Sequence, residues 1–451
     1  GYTPQEMTPP YRVLWTHTAR HKPRPAWTEP AWEPQRIDFD YAYAVSGKGD
    51  TVYYASSSDH ALHALDLATG REKWVFFADA PLRLAPEFHG DHVLFTSDDG
   101  FLYCLAQNDG ALVWKYRPEG MPDERLIGNE QMISRWAARS GVLVEGDRVY
   151  TTFGMLAPEG VAVCCLNAAS GKPIWINDNC GYHFMARPHS TAMGGVSPHG
   201  YLAVTDTLLV VTCGRSTPAL FDKQTGRLLY HEADGDFTGG SLAMTSGELV
   251  FTQADTLMKE YGADLRRPDQ SSESEIFEHA TLVALDGAAG HEVFSLRGGS
   301  RGTLSDDGLI TLIGRKQLIA VDLNDVREAV PAKAKVIRHT LGHFVESAGI
   351  RRWATPVDRV YSLLQVGQTI VAGGRGKVQC FDAGDGKRLW SGQVEGQVRN
   401  MCVVSGRLIV STTEGQIICF TPADSESPQA EIEVRQRTTQ AVPRISHGGY
   451  C

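Results

Sequence analysis

The chain is a succession of short apolar runs broken by tight-turn residues, which is the signature of many short strands. One pattern returns along its whole length: an apolar residue, an Asp or a relative, three residues, Gly, three residues, then an aromatic. It reads Leu65-Asp66…Gly70…Trp74, Leu105-Ala106…Gly110…Trp114, and Leu166-Asn167…Gly171…Trp175. It continues as Phe221-Asp222…Gly226…Tyr230, Leu285-Asp286…Gly290…Phe294, and Phe381-Asp382…Gly386…Trp390. A sixth copy, Val321-Asp322, carries Val326 in the glycine place, and an eighth keeps only Cys419-Phe420-Thr421. The Asp or Asn bonds the backbone ahead of it, Gly supplies a positive φ, and the aromatic opens an outer strand that covers a neighbouring sheet.

Two further strands, joined by turns such as Gly90-Asp91, Gly146-Asp147 and Gly406-Arg407, precede each motif. Each unit is therefore a four-stranded antiparallel sheet, A to D. Eight such units closing radially protect their edges, so the expected fold is all-β, an eight-bladed β-propeller. The last unit lacks its own D strand. Part of the stretch from Tyr11 to Trp32 is expected to supply it, which divides the chain into an N-terminal segment over 1–39, a propeller over 40–428, and a polar tail over 429–451.

Composition narrows the function. The 451 residues carry a net charge of −10, which argues against nucleic acid as partner. No apolar stretch is long enough to span a bilayer, and no coiled coil is visible, so a monomer is expected.

The motif resembles the PQQ-like (pyrroloquinoline quinone-like) repeat, with Ala64-Leu65-Asp66-Leu67-Ala68-Thr69-Gly70 and Trp74 matching its signature. The resemblance covers roughly residues 40 to 422. The family includes quinoprotein alcohol dehydrogenases and BamB-like assembly scaffolds. Arg135-Trp136-Ala137-Ala138-Arg139-Ser140-Gly141 and Gly214-Arg215-Ser216-Thr217-Pro218-Ala219 look most like secreted planctomycete-type members. The resemblance implies a periplasmic or secreted protein, and it is specific for fold rather than function.

The A–B and C–D turns are short. The long connections, 117–134, 176–199, 253–279 and 338–355, all fall on the opposite face, where function is expected to concentrate. Counting back from each A–B turn places Arg83, Arg139, His199, Arg301, Arg359 and Arg399 at one equivalent position at the start of strand A. Since strand A lines the channel, a basic ring is expected at its mouth, suited to a carboxylate, sulfate or phosphate. The alternative is local pairing, with Asp40, Glu130, Asp358 and Glu395 as candidate partners. Arg135, Arg187, Arg215 and Asn400 extend the candidate binding set, as do Trp136 and Trp353, which are able either to stack on a ligand or to plug the channel.

Tyr182, His183, Arg187 and His189, followed by His199, supply acid–base groups beside this face. On a uronate or sulfated glycan they suggest cleavage, by a hydrolase or by a lyase with Arg139 or Arg215 to neutralise, His189 or His199 as base and Tyr182 as acid. The histidine spacings fit no compact zinc signature, so a divalent metal stays a candidate cofactor ranked below the acid–base reading. PQQ, a polycarboxylate, is a further candidate ligand, which makes a quinoprotein oxidoreductase one alternative and a non-catalytic BamB-like scaffold another. Adjacent Cys164 and Cys165 lie within a strand and point to opposite faces, so they are not expected to form the vicinal ring of quinoprotein dehydrogenases. Cys104, Cys165, Cys380 and Cys419 share one strand-C position and read as buried hydrophobes, while Cys180 and Cys213 are candidates for a pair.

Overall fold

The computed structural model describes residues 1–26, 40–128, 130–181, 183–187, 190–214, 216–231, 240–247, 249–255, 280–287, 292–297, 301–313, 316–329, 337–340 and 345–423. Strands in groups of four follow the repeat. Blade 1 comprises Ala44–Lys48, Thr51–Ala55, Ala61–Asp66 and Glu72–Phe77, paired in that order. Blade 2 follows from Glu87–His89 to Leu112–Tyr116, blade 3 from Leu143–Glu145 to Pro173–Asn177, and blade 4 from Ala203–Val204 to Leu228–Tyr230. Blade 5 runs from Ala243–Ser246 to Glu292–Arg297 and gains a fifth, parallel strand, Ile337–Thr340. Blade 6 consists of Gly302–Leu304, Leu309–Ile313, Gln317–Asp322 and Arg351–Pro356. Blades 7 and 8 merge into one seven-stranded sheet that continues from Val360–Val366 through Arg407–Thr412 and Gln416–Pro422, because Thr369–Asp382 and Arg388–Val404 each run on unbroken.

Period-two alternation makes these sheets stack. In the second strand of blade 3, Val149 faces blade 2 while Tyr150 faces blade 4. Leu309 and Ile310 divide in the same way between blades 7 and 5. Among the described residues, eight apolar clusters each lie between consecutive blades. The last packs Ile409, Ile417 and Cys419 of blade 8 on Val45, Val52 and Leu65 of blade 1, as in a closed propeller.

The motif aromatic sits opposite one strand-C position throughout: Trp74–Ala64, Trp114–Cys104, Trp175–Cys165, Tyr230–Leu220, Phe294–Ala284 and Trp390–Cys380. Two pairs were hidden from the motif. Trp15, on Tyr11–Thr18, lies opposite Cys419, and this strand forms the outer edge of blade 8. Trp353 lies opposite Ala320, so it is the outer-strand aromatic of blade 6, displaced from its motif by residues 323–350. It is a core residue, not a ligand platform on a loop: it is buried, and its indole N–H donates to Ala383 O at 2.8 Å.

Five of these indoles lie on the motif glycine of the next blade. A Cβ built on Gly70, Gly110, Gly171, Gly226 or Gly386 would fall 2.6, 2.6, 2.7, 2.3 or 2.5 Å from the ring of Trp15, Trp74, Trp114, Trp175 or Trp353. All five glycines have φ between 67° and 74°. The repeat therefore needs Gly twice over, for its turn and for the indole.

At the closure seam, His63 is clamped between Glu72 Oε2 (2.7 Å from Nδ1) and Asp59 Oδ2 (3.1 Å from Nε2). It stacks on Tyr54, centroids 4.3 Å apart, and the Tyr54 hydroxyl lies 3.4 Å from His17 Nε2 on the closing strand. Burial opposes the charged ring, but the hydrogen bonds and charges of Asp59 and Glu72 outweigh it and raise its pKa above the ordinary 6.5. A raised folded-state pKa stabilises fully below the unfolded value, and the contribution is lost as pH rises through the folded value. Thermal melts across that window should show wild type losing its advantage over His63→Gln as pH rises. A pH-independent difference would contradict the clamp.

Candidate ligand-binding funnel

The A strands of neighbouring blades approach one another, as in the pairs of blades 2 and 3, 4 and 5, 6 and 7, and 8 and 1, and so form the inner wall. The register arginines sit at the heads of these strands, but the structure divides them into two groups.

On the side of blades 1 to 3 they are neutralised. Arg83 and Arg139 are both buried. Arg83 donates to Asp40 Oδ2 at 2.6 Å and to Asp98 Oδ2 at 2.7 Å, and Arg139 donates to both Asp98 oxygens at 3.0 and 2.9 Å. Burial alone would raise the Asp98 carboxyl; the two guanidiniums overcome it and hold it below the usual range. The segment after the closing strand lies over this network: Ala26 N–H donates to Asp40 Oδ2 at 2.8 Å, and Arg24 O accepts from Arg83 at 3.3 Å. Asp40 and Asp98 meet Arg83, and Asp98 meets Arg139, at hydrogen-bond distance, so both arginines act as local ion pairs. Asp40 is one of the four partners considered from sequence; Glu130, Asp358 and Glu395 engage Arg24, Lys377 and Gln416 instead.

On the side of blades 6 to 8 four arginines gather round Tyr361. Arg301 donates to the Tyr361 carbonyl at 3.0 Å, and Arg375 donates to its hydroxyl at 3.3 Å. Arg359 and Arg399 lie over its ring at 5.1 and 4.3 Å, and Arg399 also lies 5.0 Å from the ring of Tyr41. Gln397 Oε1 accepts from Arg399 Nε at 3.0 Å. Stacking fixes guanidinium planes while leaving their edges to donate. Tyr41, Tyr361 and Arg375 were missed by sequence reasoning. A Tyr two residues beyond the register arginine was the available signal for Tyr361; Arg375 lies midway along the unbroken strand Thr369–Asp382, where register counting does not reach.

Deeper in the channel, Tyr201 accepts from Ala85 N–H at 3.3 Å and hydrogen-bonds the side chain of Asn400. Its ring passes Gly141, whose Cβ would lie 3.1 Å from Cδ1. Asn400 Oδ1 accepts from Val45 N–H at 3.4 Å. His199 Nδ1 donates to Ser197 O at 3.1 Å.

Other candidates are placed elsewhere. Arg135 is tied to Glu124 (2.9 Å) and Glu159 (2.5 Å). Trp136 is buried in the seam of blades 2 and 3 and donates to Glu159 O at 2.8 Å. Tyr182, His189 and Arg215 lie outside the described residues, as do the side chains of His183 and Arg187, whose backbone belongs to the hairpin His183–Arg187 and Ser190–Gly194. Cys164 faces the seam to blade 2 and Cys165 the seam to blade 4, so this pair does not fit the vicinal ring of a quinone site. Among the described residues no group of His, Cys, Asp or Glu is arranged to hold a metal ion. Cys180 and Cys213 are buried free thiols in one cluster, not a disulfide, and burial pushes them up to about 12 and about 11. No helix among the described residues is long and apolar enough to cross a membrane.

A ring of four-stranded sheets pinned by indole-on-glycine contacts defines a β-propeller of PQQ-like repeats. A family model described as outer membrane protein assembly factor BamB matches residues 12–178 and again 159–431, and the chain belongs to that family. It matches no curated protein in sequence. Solved structures similar to it include quinohemoprotein alcohol dehydrogenase from Comamonas testosteroni (12% identity, TM-score 0.56, covering 93% of this chain and 78% of that one). Saccharomyces cerevisiae Sqt1 is similar at 11% identity and TM-score 0.56 (92% and 100% covered), and the computationally designed Ika8 protein at 12% and 0.55 (84% and 96%). At these identities the likeness is one of fold.

Proposed function

We propose that this chain is an exported propeller that binds an anionic carbohydrate, a uronate or sulfated glycan, at the arginine side of its funnel. The observation that carries this reading is the convergence of Arg301, Arg359, Arg375 and Arg399 on Tyr361. Gathering four guanidiniums on one tyrosine brings several N–H forks to one place in the funnel. Carboxylate and sulfate match the guanidinium fork, and Tyr41 and Tyr361 offer faces for a sugar ring. The family description supports export.

Binding of acidic oligosaccharides and of neutral analogues, measured by titration calorimetry, tests this. Arg399→Ala should weaken acidic ligands about 10- to 100-fold, the scale of a lost charged hydrogen bond. Arg135→Ala, which removes an arginine already held by two carboxylates, should leave affinity unchanged. Equal affinity for neutral analogues, or indifference to Arg399→Ala, would overturn the reading.

A second reading is a binding scaffold without chemistry. The family description favours it, and so does the hairpin Arg125–Gly128 and Gln131–Ser134, which leaves Ile127 78% and Met132 50% exposed. Capture of an extended apolar peptide, lost in Ile127→Asp and untouched by Arg399→Ala, would select it.

A further inference from the structure

We propose that the funnel reads the end of an acidic chain: Tyr201 bars the axial channel beneath the register arginines, and residues 19–26 close the rim over blades 8, 1 and 2. A terminal acidic sugar enters, and the interior of a chain does not. The inference rests on the anionic-glycan reading and adds which part of the glycan the site takes.

The bar is built from one side chain and four blades. Tyr201 stands two residues past the register position His199 of blade 4, roughly 7 Å further into the channel. Its backbone N–H donates to Ser241 O at 2.9 Å, which ties its base to the head of blade 5. Its ring passes Gly141 at the head of blade 3, where a Cβ would lie 3.1 Å away. Its hydroxyl accepts from Ala85 N–H of blade 2 at 3.3 Å. The Asn400 side chain of blade 8 hydrogen-bonds the same hydroxyl, and Asn400 Oδ1 accepts from Val45 N–H of blade 1 at 3.4 Å. Blades 4 and 8 stand opposite one another in the ring. A side chain rooted in blade 4 that meets blades 3, 2 and 8 therefore crosses the axis, and a glycan cannot thread past it.

The rim is closed by the segment that follows the closing strand. Ala19 N–H donates to Gly415 O at 2.9 Å, on the turn between strands B and C of blade 8. His21 O accepts from the Tyr43 hydroxyl at 2.9 Å. Arg24 N–H donates to Ser57 Oγ at 3.0 Å, on the corresponding turn of blade 1, and its guanidinium meets Glu130 at 3.2 Å. Ala26 N–H donates to Asp40 Oδ2 at 2.8 Å, and Ala26 packs with buried Leu84 against Tyr201. The segment thus runs from the rim of blade 8 inward to the bar, and both form one wall.

An internal sugar carries two arms of chain. With its acidic group among Arg301, Arg359, Arg375 and Arg399, one arm must run down the axis or across the mouth over blades 8, 1 and 2. Tyr201 shuts the first way and residues 19–26 the second. A terminal sugar carries a single arm, which leaves on the side of the arginines that hold it.

The test compares ligands of equal sugar and charge that differ only in having an end. Sulfated linear maltoheptaose and sulfated β-cyclodextrin form one pair, and oligogalacturonates of increasing length supply the uronate form. All are titrated calorimetrically against the full chain. The linear sulfated ligand should bind at least about 10-fold more tightly than the cyclic one, the scale of one charged hydrogen bond. The number of protein molecules bound per galacturonate chain should stay constant as the chain lengthens. Equal affinity for linear and cyclic ligands, or a count that grows with length, would overturn the inference and leave the binding reading standing. Failure of every acidic ligand to bind would overturn both. Hydrogen exchange reads the bar itself: the Ala85 amide should exchange about 10-fold faster in Tyr201→Phe than in wild type. Unchanged exchange there would show that the hydroxyl does not reach across, and would overturn the inference.

Discussion

Asp98→Ala is expected to destabilise the protein by about 3–5 kcal/mol, the usual result of removing one partner from a buried charge network. Asp98 is 1% exposed and holds Arg83 and Arg139, which are both 3% exposed. Its loss leaves two guanidiniums sharing Asp40 in a place water does not reach. Denaturant unfolding would show the change as a lower midpoint at unchanged slope. By contrast Glu124→Ala, which breaks an exposed pair with Arg135, should barely move the midpoint. A shift at Asp98 as small as that at Glu124 would mean that the network is open to solvent, and the reading of Arg83 and Arg139 as structural ion pairs would lose its basis.

The second large effect is expected at a motif glycine. Gly226 has φ 74°, and a Cβ there would meet Trp175 at 2.3 Å. Gly146 has φ 57° with nothing within 4 Å of its Cβ. Gly146→Ala therefore carries conformational strain alone, about 1–2 kcal/mol. Gly226→Ala carries that strain plus displacement of an indole from a packed seat, about 1–3 kcal/mol more. It should also disturb the indole hydrogen bond to Lys223 O, now 3.1 Å, and with it the fluorescence of Trp175. Equal destabilisation by the two substitutions would show that the glycine is needed only for its turn.

The parts of this structure that are local in sequence were legible. The Asp turn, the glycine and the aromatic lie within one short motif, and strand alternation follows from neighbouring residues. The sixth repeat defeated the motif because residues 323–350 separate Trp353 from Asp322 while its pairing with Ala320 is preserved. The arginine register was also legible, since it counts residues along one strand. The fate of each arginine was not. Asp98 sits on the turn between strands B and C of blade 2, Arg375 lies midway along the unbroken strand Thr369–Asp382, and Asp40 precedes blade 1. Which of them meets which register arginine depends on the curvature of the closed ring, and so does the meeting of Tyr201 with Ala85 and Asn400.

The measurement that bears most directly on the central claim is a crystal structure with a short acidic oligosaccharide. The account predicts an acidic group of the ligand held among Arg301, Arg359, Arg375 and Arg399 above Tyr361, with Arg83 and Arg139 still paired to Asp40 and Asp98. A ligand bound through Arg83 and Arg139 instead, or an empty funnel at saturating ligand, would contradict it.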